Sequence, residues 1–287
     1  MLWIPLTLLS AFLLASSDAY TKKIISKYDI YILAWIRNIF AAPYLILVIF
    51  LVKIPVTDFY FWLAIGTGLP LETLALILNL KAIKLSPLSL TMPFLGLTPV
   101  FLIFTSFIML GELPDLPGIA GILLIAIGAY LLNFSSLRSG ILNPFKAILK
   151  EKGSVLMIIV AFIYSITSNI AKIGINHSSP AFFGSVYYLL VTVFISIFYR
   201  KNILSSGNVK SKNIKDLSLI GFFYGLSIVL HFIGLSLTHV AYMISVKRTS
   251  LLFSILYGKF MFHEVKIKER LFGSLLIMTG VILITLF

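Results

Sequence analysis

Lys247 and Arg248 stand side by side inside an otherwise apolar run, Val240 to Phe262. About 20 apolar residues cross a bilayer, and each cation near the centre of a spanning helix opposes insertion by roughly 2.5–3.5 kcal/mol. Two together need water, a counter-charge or an anionic ligand. Arginine presents a planar fork to the oxygens of a carboxylate or phosphate, while lysine supplies a point charge. The pair therefore predicts capture of a negative group.

Other polar residues interrupt apolar runs in register with helical faces. Glu72 lies near the middle of its run, where a carboxylate must be protonated or face a cation. Two readings stand for it: a structural partner for Arg37 or for Lys247 and Arg248, or a coupling or ligand group. Residues three, four and seven apart share a helix face. Gly68, Glu72, Ala75 and Asn79 make one such stripe, and Tyr224, Ser227 and His231 another. Lys247, Ser250, Ser254 and Gly258 make a third, from which Arg248 is turned by about 100° in a continuous helix. The substrate-binding candidates are Lys247, Arg248, Tyr224, Glu72, Asn79, Asn169, His231 and Ser254. Arg37, Glu72 and Pro99 are the gating or coupling candidates.

Each has a plainer reading. Lys247, about 10 Å from the start of its run, could snorkel to the interface. Arg37 and His231 could be packing groups, and Asn79 and Asn169 helix bridges. Pro93 and Pro99 kink the fourth run and leave carbonyls free. Glu112 and Glu264 are read as structural residues of turns, and Gly121, Gly128, Gly273 and Gly280 as packing surfaces.

Enzyme and cofactor readings find no support. There is no HExxH, no GxSxG and no cysteine. His177, His231, His239 and His263 form no metal-ligand spacing, and no Walker motif points to ATP.

The elements that must position these residues follow from composition. The 287 residues are 60% hydrophobic and 11% charged, against about 45–50% and 25% for soluble domains. An all-α integral membrane protein is expected. Ten runs read as spanning helices: 3–20, 30–52, 59–80, 88–110, 116–134, 154–175, 181–199, 215–237, 240–262 and 268–287. Continuous rather than alternating apolarity favours helices over a barrel. Ala15-Ser16-Ser17 resembles a signal cleavage site, but the first run lacks a basic head and returns later in the chain, so it reads as a retained helix.

That return is a repeat. At a shift of 152, Leu110-Gly111-Glu112 falls on Phe262-His263-Glu264, Gly121 on Gly273, and Gly128 on Gly280; near the start, at a shift of 150, Lys22 falls on Lys172. Residues 1–134 form the first unit, 135–153 a linker, and 154–287 the second. Five helices per unit is an odd number, so the second enters the membrane inverted, as in many secondary transporters. All lysines and arginines but Arg37, Lys53, Lys172, Lys247 and Arg248 fall in alternate connections or within one helical turn of them. The positive-inside rule makes that side cytoplasmic and puts both termini outside. The net charge of +13 thus reads as membrane-surface charge, not a nucleic-acid footprint. Ile141–Lys150 reads as a short amphipathic surface segment, and the basic loop 200–216 as lipid-attracted.

The stretch Ser86–Leu132, with Pro99, the Gly111-Glu112 turn, Gly121 and Gly128, resembles the EamA-type repeat of the drug/metabolite transporter superfamily, and its second copy resembles it again. Arg37, early in the second helix, also carries the resemblance. Leu251 and His263 depart from the pattern by replacing a proline and a glycine. Locally, Thr238-His239 and Val246-Lys247-Arg248 are similar to a helix of plastid triose-phosphate translocators. There a Lys-Arg pair grips the substrate phosphate, and Tyr224 would stand for an assisting tyrosine; that family's first-half lysine has no match here. The resemblance implies a non-enzymatic secondary transporter in the cell membrane, working by alternating access between two inverted five-helix units. It would carry a small organic anion or zwitterion, such as an amino acid, organic acid or phosphorylated metabolite. The alternative is a multidrug or cation exporter with Glu72 as its proton-coupled carboxylate. The expected partners are a small-molecule substrate and the bilayer, with no nucleic acid, no cofactor and a monomeric or homodimeric state.

Overall fold

The computed structural model describes residues 2–131, 150–205, 214–263 and 267–286, and among these residues there is no strand. Most of the linker expected at 135–153, residues 206–213 of the loop at 200–216, and Glu264 lie outside the described residues. The first half comprises α1 (Trp3–Ile24), α2 (Ile30–Leu51), α3 (Phe59–Leu85), α4 (Leu88–Thr91), a 3-10 segment (Met92–Leu97), α5 (Thr98–Leu110) and α6 (Leu116–Leu131). The second comprises α7 (Lys152–Asn176), α8 (Pro180–Phe198), α9 (Arg200–Ser205), α10 (Ile214–Ser236), α11 (Val240–Lys247), α12 (Ser250–Phe262) and α13 (Ile267–Leu286).

Local chemistry sets the boundaries. Asp29 caps α2 by accepting from Tyr31 N–H, and Asp58 caps α3 by accepting from Phe61 N–H. Glu151 caps α7 through Ser154 N–H at 2.7 Å, and Pro180 opens α8 where no N–H is needed. α5 closes on Gly111 at φ 68°, the left-handed conformation glycine adopts without a Cβ clash. Its repeat mate His263 closes α12 in the same region at φ 50°.

Among the described residues, five helices, α2, α3, α7, α8 and α10, are long and apolar enough to cross a membrane. Shorter apolar helical stretches cover Phe94–Leu110, Leu116–Gly128 and Phe272–Leu283. The fourth and ninth runs, read as single helices from sequence, are each divided. In the fourth, the 3-10 segment intervenes; Pro93 and Pro99 lack the N–H that a continuous ladder uses. In the ninth, Thr249, Leu251 and Leu252 N–H groups bond to Val246, Arg248 and Thr249 carbonyls, three residues back instead of four. Tighter winding therefore falls at corresponding positions in both halves, and in the second it falls on the Lys247-Arg248 pair.

α1 packs along α10 and α3 along α7, while α6 and α13 pack on each other. Between apolar helices in lipid, close packing and polar contacts replace hydrophobic drive. Ser10 donates to the Ser227 carbonyl at 2.9 Å and Ser17 to the Ile220 carbonyl at 3.1 Å, tying α1 to α10. A Cβ on Gly128 would sit 2.6 Å from the Gly273 carbonyl oxygen, and one on Gly280 would collide with that of Gly121. The crossed glycines hold α6 and α13 at backbone contact.

Two lysines repeat one contact at different ends of the bundle. Lys22 Nζ donates to the Ile83 carbonyl and, at 2.6 Å, to that of Ser86, at the C-terminus of α3. Lys172 Nζ donates to the Leu235 and Thr238 carbonyls at 2.8 and 2.9 Å, at the C-terminus of α10. The last carbonyls of a helix lack intrahelical partners and carry partial negative charge, so a cation suits them. The paired residues correspond under the sequence shifts of 150 and 152.

Candidate functional site

A cavity of about 80 Å³ opens between α1, α2, α3, the 3-10 segment, α7, α8, α10 and the end of α11. That is space for several waters, so a larger ligand requires the walls to part. Asp18, Arg37, Glu72, His231, Lys247 and Arg248 all face it.

The first charged pair comes from α1 and α2, which both pack on α10. Arg37 Nη1 of α2 donates to Asp18 Oδ1 of α1 at 2.7 Å, with both side chains 3% exposed. The Arg37 guanidinium also lies 3.9 Å from the centre of the Tyr224 ring, a cation–π geometry. Glu72 of α3 accepts a 2.7 Å hydrogen bond from Tyr188 of α8. Among the described residues it forms no ion pair, so the sequence-based reading of Glu72 as the partner of Arg37 is corrected: Asp18 takes that place.

The second-half cations lie where the ninth run tightens. Lys247 Nζ is 2.9 Å from His231 Nδ1 on α10. The imidazole stands edge-on to Phe232, ring centres 5.1 Å apart. Arg248 is buried, with Nε lacking a hydrogen-bond partner. Arg248 follows Lys247 directly where the hydrogen bonding tightens to three residues, and both line one cavity.

Aromatic rings form the remaining wall. Tyr188 meets Tyr224 and Phe232 edge-on, at 5.7 and 6.1 Å between centres. The site thus combines buried charge with phenol hydroxyls and apolar faces, the composition of a pocket that orients an amphiphilic small molecule.

Of the residues singled out from sequence, Lys247, Arg248, Tyr224, Glu72, Asn79, His231 and Arg37 line this cavity. Asn79 also contacts Met157, and its Oδ1 is buried without a partner. Three others lie elsewhere. Asn169 accepts from Ser106 at 2.8 Å and donates to the Ser165 carbonyl, bridging α5 and α7. Ser254 is buried on α12 outside the lining, and Pro99 sits in the first turn of α5, also outside it. Glu112 accepts from Val240 N–H at 2.9 Å, fastening the turn after α5 to the start of α11.

Sequence reasoning passed over Asp18 and Tyr188 as site residues. Asp18 had a usable signal, since an acid inside an apolar run is functional by default. Tyr188 had none, because its role depends on α8 lying against α3. Among the described residues, no group of three His, Cys, Asp or Glu side chains could hold a metal ion.

The EamA-like transporter family matches residues 1–134 and again 151–286. Eighteen solved chains match the fold. One of them, titled only "Crystal structure of protein", is 16% identical, covers 99% of this chain and 96% of its own, and superposes with a TM-score of 0.72. At that identity the likeness speaks for the fold alone. No curated protein matches.

Proposed function

We propose a function on one premise: this chain belongs to the EamA-like transporter family, and is a membrane transporter of the drug/metabolite type. Its substrate on our reading is a small organic anion or zwitterion. The observation that carries this is the unequal engagement of the cavity's charges. Arg37 and Arg248 both keep a buried Nε unpartnered, but Arg37 is paired with Asp18 and Glu72 accepts from Tyr188, whereas among the described residues neither Arg248 nor Lys247 beside it forms an ion pair with a carboxylate. An unmatched buried donor on a cation favours an incoming oxyanion.

The architecture we propose is ten spans in two inverted five-helix units, with both termini outside the cytoplasm, rocking about the cavity. The matched contacts of Lys22 and Lys172 and the matched 3-10 windings support it. α6 and α13, joined through their glycines, would lie at the periphery. A phosphorylated substrate would use Lys247 and Arg248 much as the resemblance to the triose-phosphate translocators suggests, although the Tyr224 ring is engaged by Arg37. A cation exporter built on Glu72 is less well supported, since three cations face the same space.

The test is uptake by liposomes containing purified protein, screened with amino acids, organic acids and sugar phosphates. Wild type should accumulate an anionic or zwitterionic compound, and Lys247→Ala and Arg248→Ala, if folded, should lose at least about tenfold in rate, the scale of one lost charged hydrogen bond. Native rates in both variants would refute the anion reading. Uptake of organic cations alone, abolished by Glu72→Gln, would establish the second reading instead.

A further inference from the structure

The contact between Lys247 Nζ and His231 Nδ1 joins two basic groups at 2.9 Å. A hydrogen bond between them requires one nitrogen to offer a lone pair, so the bonded pair carries at most one positive charge. The simplest state has the Lys247 ammonium donating to a neutral imidazole that bears its proton on Nε2. Phe232, edge-on to the ring, holds it in this orientation.

The surrounding groups leave the pair as the place where charge can change. From α1 and α2, Asp18 and Arg37 neutralise each other. From α3, Glu72 is bonded to Tyr188 of α8. Arg248, from the turn after α11, adds a cation close by. Tyr164 of α7, Tyr187 of α8 and Tyr224 of α10 also face the cavity, and phenols keep their protons at neutral pH. A second proton on the pair would place two like charges in contact beside Arg248, a state that a poorly solvated cavity tolerates only with an anion present.

We propose that Lys247 and His231 together form the proton-loading site of the transport cycle, taking one proton from water as an anion binds and returning it as the anion leaves. The anion draws the Lys247 ammonium away from Nδ1; the freed lone pair accepts the proton, and the imidazolium and ammonium then both face the bound oxyanion. No bond other than N–H forms or breaks. Because linkage is reciprocal, protonation tightens anion binding by the factor by which the anion tightens proton binding. The inference rests on the anion reading of the cavity and assigns its coupling to this pair rather than to Glu72.

The experiment is calorimetric titration of the full chain in nanodiscs with glutamate, succinate and glycerol 3-phosphate. Each is run between pH 5.5 and 8.5 in two buffers of different ionisation enthalpy, which counts protons taken up. For whichever probe binds, wild type should take up about one proton per anion, with Kd weakening by up to about tenfold per pH unit. Histidine labelled with 15N, its signals assigned through glutamine variants of His177, His239 and His263, should show His231 Nδ1 passing from acceptor to protonated on anion addition. His231→Asn should abolish the proton count and flatten the pH profile, whereas Glu72→Gln should keep both. A profile flattened by Glu72→Gln and retained in His231→Asn would overturn the assignment. So would anion binding without any change at Nδ1, a measurement on native residue 231 that does not depend on how the variants fold. If none of the three probes binds folded wild type, the anion reading falls and the coupling with it.

Discussion

Asp18 accepts a hydrogen bond from Arg37 at 2.7 Å where neither side chain is more than 3% exposed. The bridge fixes α1 to α2 at the edge of the cavity and holds the arginine against the Tyr224 ring. Removing one partner of a buried pair strands the other charge, at a cost of about 3–5 kcal/mol, while replacing both can be nearly neutral. Arg37→Met should therefore destabilise the protein strongly, and Asp18→Asn combined with Arg37→Met should recover most of the loss. Unfolding in detergent, followed by tryptophan fluorescence, measures both. Equal loss in single and double variants would show that the pair is not a unit.

Lys172 holds the end of α10 through two carbonyls, and Glu112 holds the start of α11 next to it. Hydrogen bonds to charged groups contribute about 1.5–3 kcal/mol each. Lys172→Met should loosen this end and shift the protein toward states open there. The chain has no cysteine, so Ser168→Cys on the cavity wall supplies a unique reporter. Its labelling by a water-soluble maleimide should rise roughly tenfold in the Lys172→Met background, and unchanged labelling would deny Lys172 a closing role.

Gly111 and His263 occupy matching left-handed positions, at φ 68° and 50°. An added Cβ at Gly111 meets no neighbour within 4 Å, so only backbone strain opposes it. Gly111→Ala should cost about 1–2 kcal/mol, and His263→Gly should lower the strain by up to a similar amount. Thermal midpoints moving in opposite directions would support this; a neutral Gly111→Ala would not.

Acid should release the contact between the turn before α6 and α11. Tyr242 O–H donates to Asp115 at 2.7 Å and Gly118 N–H at 2.8 Å, and these bonds hold its carboxyl below the usual range. A carboxyl lowered in the folded state stabilises fully above its unfolded value, near pH 4, and the gain is lost as pH falls through the lower folded value. The thermal midpoint of wild type should fall more steeply below about pH 4 than that of Asp115→Asn. Parallel pH profiles would contradict it.

The apolar runs, the repeated glycines and the buried cations of the cavity could be read along the chain, because each is a one-dimensional pattern of apolarity, spacing or charge. Tight helix pairing through Gly128 and Gly280 follows from such a pattern too, since only a residue without a Cβ admits a backbone oxygen so close. What the chain alone leaves open is who meets whom. Asp18, rather than Glu72, answers Arg37, because α1 and α2 both pack on α10 and face each other across the cavity. His231 meets Lys247, and Tyr188 meets Glu72, across helices distant in sequence. Arg248 lines the cavity beside Lys247 at a point where the helix tightens to three-residue hydrogen bonds, without a proline to announce it. Charge type and depth were local properties of the sequence; pairing required helices to pack, and packing is decided by contacts that no single run contains.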